Sequence, residues 1–146
     1  MVPTYTQPVV EWSPMAHARP SEWLLRVTES QPPYAVVRRF LYGDGNRPEE
    51  WFRVVTWAPT SEARELIGWV RTLDAACALG WDYQCAAQSW RHHQAARRVD
   101  AGTMAATRPP AADLVAFWRQ HRAQSGQASP AVGESSRTPP RPPTTR

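Results

Sequence analysis

The sequence contains 17 arginines and no lysine. Guanidinium groups suit phosphates, carboxylates and aromatic faces better than ammonium groups do. A genome rich in G and C also favours arginine codons, so this bias alone does not identify a partner.

Long apolar runs are absent as well. No stretch approaches the 18 or so consecutive apolar residues of a membrane span. The first 20 residues lack the basic segment followed by an apolar segment that marks a secretory signal. We therefore expect a cytoplasmic protein with no membrane partner.

Cysteine is scarce. Cys77 and Cys85 are the only two in the chain, and both fall in one predicted helix, about 12 Å apart along its axis at 1.5 Å per residue. That separation is too great for a disulfide. We expect two reduced, buried thiols.

Catalytic and metal-binding constellations are also lacking. The only glycine cluster, GDGN at 43–46, has neither dinucleotide-binding nor P-loop spacing and is typical of a hairpin turn. His92 and His93 are adjacent, about 100° apart on a helix, and Cys85 with His92 would supply only two ligands. We expect no enzyme, no cofactor, no metal and no small-molecule substrate.

Charge is unevenly distributed along the chain. Residues 1–90 hold 8 Arg and 10 acidic residues, a net −2, whereas residues 91–146 hold 9 Arg and 3 acidic residues, a net +6. A non-specific grip on nucleic acid would therefore come from the C-terminal third.

The pattern of residues predicts an α+β fold. Four stretches rich in β-branched and aromatic residues, separated by short turns, indicate an antiparallel meander of three to four strands; they are 22–30, 33–43, 49–59 and 63–72. Thr72 is a candidate N-cap, and helical spacing from Leu73 predicts one long helix to about Arg98, packed on one face of the sheet.

The domain organisation follows from composition. The predicted segments are an extended proline-containing arm at 1–20, the β-β-β-β-α domain at 21–98, a linker at 99–109, a short amphipathic helix at 110–122 and a disordered Pro/Ser/Thr/Arg tail at 123–146.

Strand alternation assigns two apolar faces to the sheet. We expect the long helix to cover one of them, formed by Phe52, Val54, Leu66 and Val70. The other face then exposes three tryptophans beside two arginines: Trp51, Trp57, Trp69, Arg53 and Arg71. Three indoles of roughly 150 to 250 Å² each form a larger patch than a soluble monomer normally exposes, so something must cover it.

Four covers are open. The short helix, with Leu114, Phe117, Trp118 and His121 on one stripe, could fold back onto the tryptophans. A second copy or a partner protein could cover them instead. Nucleic acid could stack on the rings with Arg53 and Arg71 at its phosphates, although Glu65 on that face counts against it.

Residues 51–79, WFRVVTWAPTSEARELIGWVRTLDAACAL, resemble the arm-type DNA-binding modules at the N-termini of tyrosine integrases. The resemblance implies a three-stranded sheet that enters the major groove, followed by a helix that begins after a threonine. The six matching outward positions are Arg53, Val55, Trp57, Ile67, Trp69 and Arg71, and only two of them are basic. No integrase catalytic domain follows. The chain is also similar in composition to small proteins of actinobacterial mobile elements and phages, which implies no activity.

These observations lead to two hypotheses for a non-catalytic binding module. The first is protein association or self-association through the tryptophan face and the short helix. The alternative is a DNA-binding accessory protein that uses the sheet and the basic C-terminal third. The candidate binding residues are Trp51, Arg53, Trp57, Trp69, Arg71, Leu114, Phe117 and Trp118.

Overall fold

The computed structural model describes residues 9–10, 21–43 and 48–126, and its fold is α+β, as predicted. Five strands form one antiparallel sheet in chain order: β1 Val9–Val10, β2 Glu22–Leu25, β3 Ala35–Tyr42, β4 Glu49–Thr56 and β5 Leu66–Val70. Three helices follow: α1 Leu73–Ala96, α2 Ala101–Thr107 and α3 Ala111–Gln124.

The predicted first strand is shorter than expected. It spans 22–30 in the prediction, but β2 ends at Leu25 because the chain then turns back on itself. Arg26 Nη1 donates to Gln31 O at 2.8 Å, and Tyr34 N donates to Leu25 O at 2.8 Å, where β3 begins to pair with β2.

Helix α1 begins where the sequence predicted. Thr72 is its N-cap, and Thr72 Oγ1 accepts a hydrogen bond from Ala75 N at 3.1 Å. The helix then crosses the sheet closely, since a Cβ at Gly80 would lie only 2.5 Å from Leu25 Cδ1. Ala76, one turn earlier, is fully buried. Small residues therefore set the distance between helix and sheet.

The core lies between the sheet, α1 and the first turns of α3. Its buried members from the sheet are Trp23, Leu25, Ala35, Val37, Phe52, Val54, Ile67 and Val70; those from the helices are Ala75, Ala76, Cys77, Leu79, Ala111 and Val115. The predicted helix-covered positions Phe52, Val54 and Val70 are confirmed as part of this core.

The predicted position of Leu66 is wrong because β5 contains a bulge. Val54 pairs with Gly68, but the next residue, Val55, pairs with Leu66, so Ile67 is an extra residue on β5. A bulge shifts the strict alternation of side chains by one residue. Ile67 turns into the core at 5% exposure, and Leu66 is 50% exposed.

The predicted linker contains a helix. Within 99–109 the chain forms α2, whose N-cap is Asp100. Asp100 Oδ1 accepts from Thr103 N at 2.9 Å, and Asp100 Oδ2 accepts from Thr103 Oγ1 at 2.6 Å. A left-handed residue, Arg98 with φ 58°, separates α1 from α2.

Of the four covers left open for the tryptophan face, the structure rules out the short helix folded back within the same chain. Helix α3 instead packs against α1 and β5, on the side of the sheet that α1 already occupies. Its buried residues are Ala111, Leu114 and Val115, whereas Phe117 is 73% exposed. The buried stripe therefore shares Leu114 with the predicted one but is rotated away from Phe117 and His121.

Ion pairs connect α3 to α1. Asp82 of α1, with 6% of its side chain exposed, accepts from Arg119 Nε at 2.8 Å and from Arg122 Nη1 at 2.9 Å. At the other end of α3, Glu65 Oε2 accepts from Ala111 N at 3.0 Å, and the same carboxylate pairs with Arg108. Both ends of α3 are thus fixed to the domain.

Parts of the predicted organisation lie outside the described residues. These are the arm at 1–20 except for β1, most of the GDGN turn, and residues 127–146 of the tail. Among the described residues, no helix combines the length and apolar character that crossing a bilayer requires.

The bulge yields a test with adjacent residues. Ile67→Asp should lower the free energy of unfolding by several kcal/mol, because an unpaired carboxylate would be placed in the core. Leu66→Asp should stay within about 0.5 kcal/mol of wild type, since Leu66 is largely exposed. Urea unfolding of both variants measures this, and a larger loss for Leu66→Asp would contradict the assigned register.

Candidate functional site

The side of the sheet that points away from α1 is called the second face here. Directly paired residues of antiparallel strands share a face, and the pairs Arg38 with Arg53, Phe40 with Trp51, and Arg53 with Trp69 place all five residues together. By alternation along the strands, the second face also includes Glu22, Leu24, Val36, Tyr42, Glu49 and Val55.

Three aromatic rings of the second face form a cluster, which we call the ring cluster. Phe40 and Tyr42 of β3 stack with centroids 6.1 Å apart and planes 19° apart. Trp69 of β5 contacts both, at 5.4 Å from Phe40 and 6.0 Å from Tyr42. All three side chains are half-buried. Part of each ring therefore stays accessible.

Two guanidinium groups lie over the ring cluster. Arg38 Cζ is 5.5 Å and Arg53 Cζ is 5.0 Å from the centroid of Phe40, distances at which a cation is attracted to a ring face. Arg53 Nε is buried and has no hydrogen-bond partner. Burial, followed by the positive charge of Arg38, lowers the pKa of Arg53.

Trp51 has a structural role on the second face. Its side chain is 3% exposed. Arg71 Cζ lies 4.6 Å from its ring, and its Nε1 donates to Glu49 Oε2 at 3.3 Å. Because Glu49 also pairs with Arg71 at 3.4 Å, these three side chains form a closed unit at one end of the face. Trp51 is not available to a ligand, contrary to our expectation.

The remaining candidate residues are dispersed. Trp57 follows the last residue of β4 and is half-buried. Leu114 is buried under α3, Trp118 is half-buried with no partner for its buried Nε1, and Phe117 projects outward. The structure thus brings Arg53, Trp69 and Arg71 to one face and places the helix residues on the opposite side of the sheet.

Sequence reasoning missed Arg38, Phe40 and Tyr42. A signal for them was present, since these residues alternate along RRFLY in β3 as residues of one strand face do. Their significance depends on the register of β3 with β4, which places Arg38 opposite Arg53. The objection from Glu65 also disappears, because its carboxylate is engaged by Ala111 N and Arg108.

A groove also lies between the three helices, on the other side of the sheet from the second face. Its volume is about 330 Å³, which is near the lower limit for pockets that bind small ligands. Its larger side chains are Tyr83, Trp90, Arg91, Met104, Arg108 and Leu114. It contains rings and aliphatic groups with two arginines and no carboxylate among its lining residues.

The cysteines do not form a nucleophilic site. Burial, with a smaller effect of Asp74, raises the pKa of Cys77 to about 11. Burial also raises the pKa of Cys85. A thiol whose pKa lies above neutrality stays protonated at neutral pH and is a poor nucleophile.

Comparison with known proteins gives no match: no family model, no curated protein and no solved structure is significantly similar to this chain. The candidate site is therefore defined by its own geometry, and the second face is the part of the described chain where charge and aromatic rings are most closely combined.

The difference between Trp51 and Trp69 can be measured. Trp51→Ala should lower the free energy of unfolding by about 3–5 kcal/mol, as expected when a buried indole is removed. Trp69→Ala should cost roughly half as much, because its ring is only half-buried. Urea unfolding of the two variants gives both values, and equal losses would show that Trp69 is as structural as Trp51.

Proposed function

We propose that the protein is a non-catalytic binding module that holds single-stranded nucleic acid on its second face. The observation that carries the proposal is the combination of the ring cluster with Arg38 and Arg53 above it. Nucleic-acid binding, the alternative in the sequence analysis, is thus placed before protein association. The reason is that the second face is cationic and aromatic and that its most deeply placed indole, Trp51, is buried.

The rings provide the sequence-independent part of such binding. Bases stack on aromatic side chains with about 1–3 kcal/mol each, whatever the base. Phe40 and Trp69 lie on β3 and β5 with β4 between them, but their side chains lean together over β4, so the ring cluster is one compact platform with centroids 5.4 to 6.1 Å apart. Single strands supply unstacked bases for this surface, whereas a duplex conceals its base faces.

The arginines provide the phosphate contacts. Arg38, Arg53 and Arg71 lie along the second face, and guanidinium forks match phosphate oxygens in two-point hydrogen bonds. Arg71 already pairs with Glu49 at 3.4 Å, but 46% of its side chain is exposed and an exposed pair of this kind is weak. It can therefore exchange the carboxylate for a phosphate at little cost.

The expected association through the tryptophan face has less support. The indole on which such an interface would centre, Trp51, is only 3% exposed, because Arg71 and Glu49 of the same face already contact it. The similarity of residues 51–79 to the integrase arm modules remains a resemblance, and it implies nucleic acid as the partner.

Binding of a single strand should depend steeply on salt. If about three phosphates are contacted, the logarithmic slope should be about −2, and affinity should fall roughly 20-fold between about 50 and 200 mM salt. Fluorescence anisotropy of the full chain with a labelled oligonucleotide of about 16 nucleotides, with duplex of the same sequence as comparison, measures this. Absence of binding to the single strand at low salt ends the proposal, and tighter binding to the duplex would move it toward a groove-entering sheet.

A different surface, away from the second face, is a candidate site for protein association. Phe117 is 73% exposed and lies one turn after Leu114, which lines the groove between the three helices. An exposed aromatic residue beside an apolar groove is typical of an interface anchor.

This candidate predicts a protein that self-associates in solution. Phe117→Ser should reduce the mass measured by light scattering to that of a monomer, with an unchanged thermal melt, because Phe117 makes little contribution to the core. Leu41→Ser is the matched control, since Leu41 is 60% exposed on β3. A wild-type protein that is monomeric at all concentrations excludes self-association.

A further inference from the structure

Ion pairing is uneven among the arginines of the sheet. Arg39 of β3 pairs with Glu50 at 3.3 Å on the α1 side. In the described chain no carboxylate lies within ion-pair distance of Arg38 or Arg53, although both point to the second face. Among the described residues, these two guanidiniums are therefore charges without a counter-charge in contact.

Their arrangement is unfavourable in the absence of an anion. Arg38 and Arg53 are direct partners across β3 and β4, so their Cβ atoms lie about 4.5–5.5 Å apart. Like charges placed directly opposite destabilise a sheet. Arg53 also has a buried Nε with no hydrogen-bond partner, which costs the free energy of desolvating that donor. The ring of Phe40 offsets only part of this.

We propose that Arg38 and Arg53 form a seat for one phosphate group, with the ring cluster beside it for the base attached to that phosphate. This deepens, and rests on, the proposed binding of single-stranded nucleic acid. An anion between the two guanidiniums removes their repulsion and gives Arg53 Nε an acceptor. The ligand class is a phosphodiester or phosphomonoester that bears an aromatic base.

One carboxylate limits the seat. Glu22 of β2 is the direct partner of Arg38, and its charge acts on Arg53 in the direction that favours the protonated guanidinium. It forms no ion pair with either arginine in the structure. Its negative charge should therefore oppose a phosphate at the seat, so that its removal strengthens binding.

Charge-removing variants test the seat. Arg38→Gln and Arg53→Gln should each weaken binding of a single-stranded oligonucleotide about tenfold and reduce the salt slope by about 0.7. Glu22→Gln should strengthen binding. Arg39→Gln is the matched control, because it removes the same charge one residue away on the other side of the sheet and should change affinity less than twofold. Urea unfolding of each variant verifies that it is folded.

Binding of inorganic pyrophosphate, measured by competition with the oligonucleotide, tests the phosphate seat separately from the proposed function. Competition of pyrophosphate with the oligonucleotide in wild type, and its loss in Arg53→Gln, supports the seat. If the oligonucleotide binds but Arg38→Gln and Arg53→Gln behave like Arg39→Gln, the seat is wrong and the proposed function stands. If only pyrophosphate binds, and Arg53→Gln abolishes it, the seat stands and its ligand is a free phosphoryl compound. Binding of neither overturns both.

Discussion

Two arginines of α3 converge on the buried carboxylate of Asp82, and this contact holds α3 on the side of the sheet that α1 covers. With α3 in this position, removal of Arg119 and Arg122 would leave a buried carboxylate without partners, which costs several kcal/mol. Glu65 fixes the other end of α3 at Ala111. Both helices therefore occupy one side of the sheet, and among the described residues no helix packs on the second face.

Without a helix over it, the second face is packed by contacts among its own side chains. Trp51 is enclosed by Arg71 and Glu49, and Phe40, Tyr42 and Trp69 pack on one another. The patch of three exposed indoles expected from the sequence thus does not exist. What remains accessible is half-buried rings beside two guanidiniums, the combination on which the proposed binding of single-stranded nucleic acid rests.

Local patterns were sufficient to predict the meander, the start of α1 after Thr72 and the burial of Phe52 and Val54, because each depends on neighbours in the chain. Leu66 was misplaced because a bulge depends on pairing with β4. The position of α3 was missed because apolar spacing ignores the attraction of Arg119 and Arg122 for Asp82. Two of the three rings of the ring cluster, Phe40 and Tyr42, were missed for the same kind of reason, since the cluster is created by register between strands.

The most direct test of the account is an NMR titration of the ¹⁵N-labelled full chain with a single-stranded oligonucleotide. Binding on the second face predicts shifts of the Arg53 Nε–H and the Trp69 indole N–H resonances, with the indole N–H of Trp90, in the groove between the helices, unchanged. Shifts confined to Trp90 and its neighbours, with Arg53 and Trp69 unaffected, would contradict it.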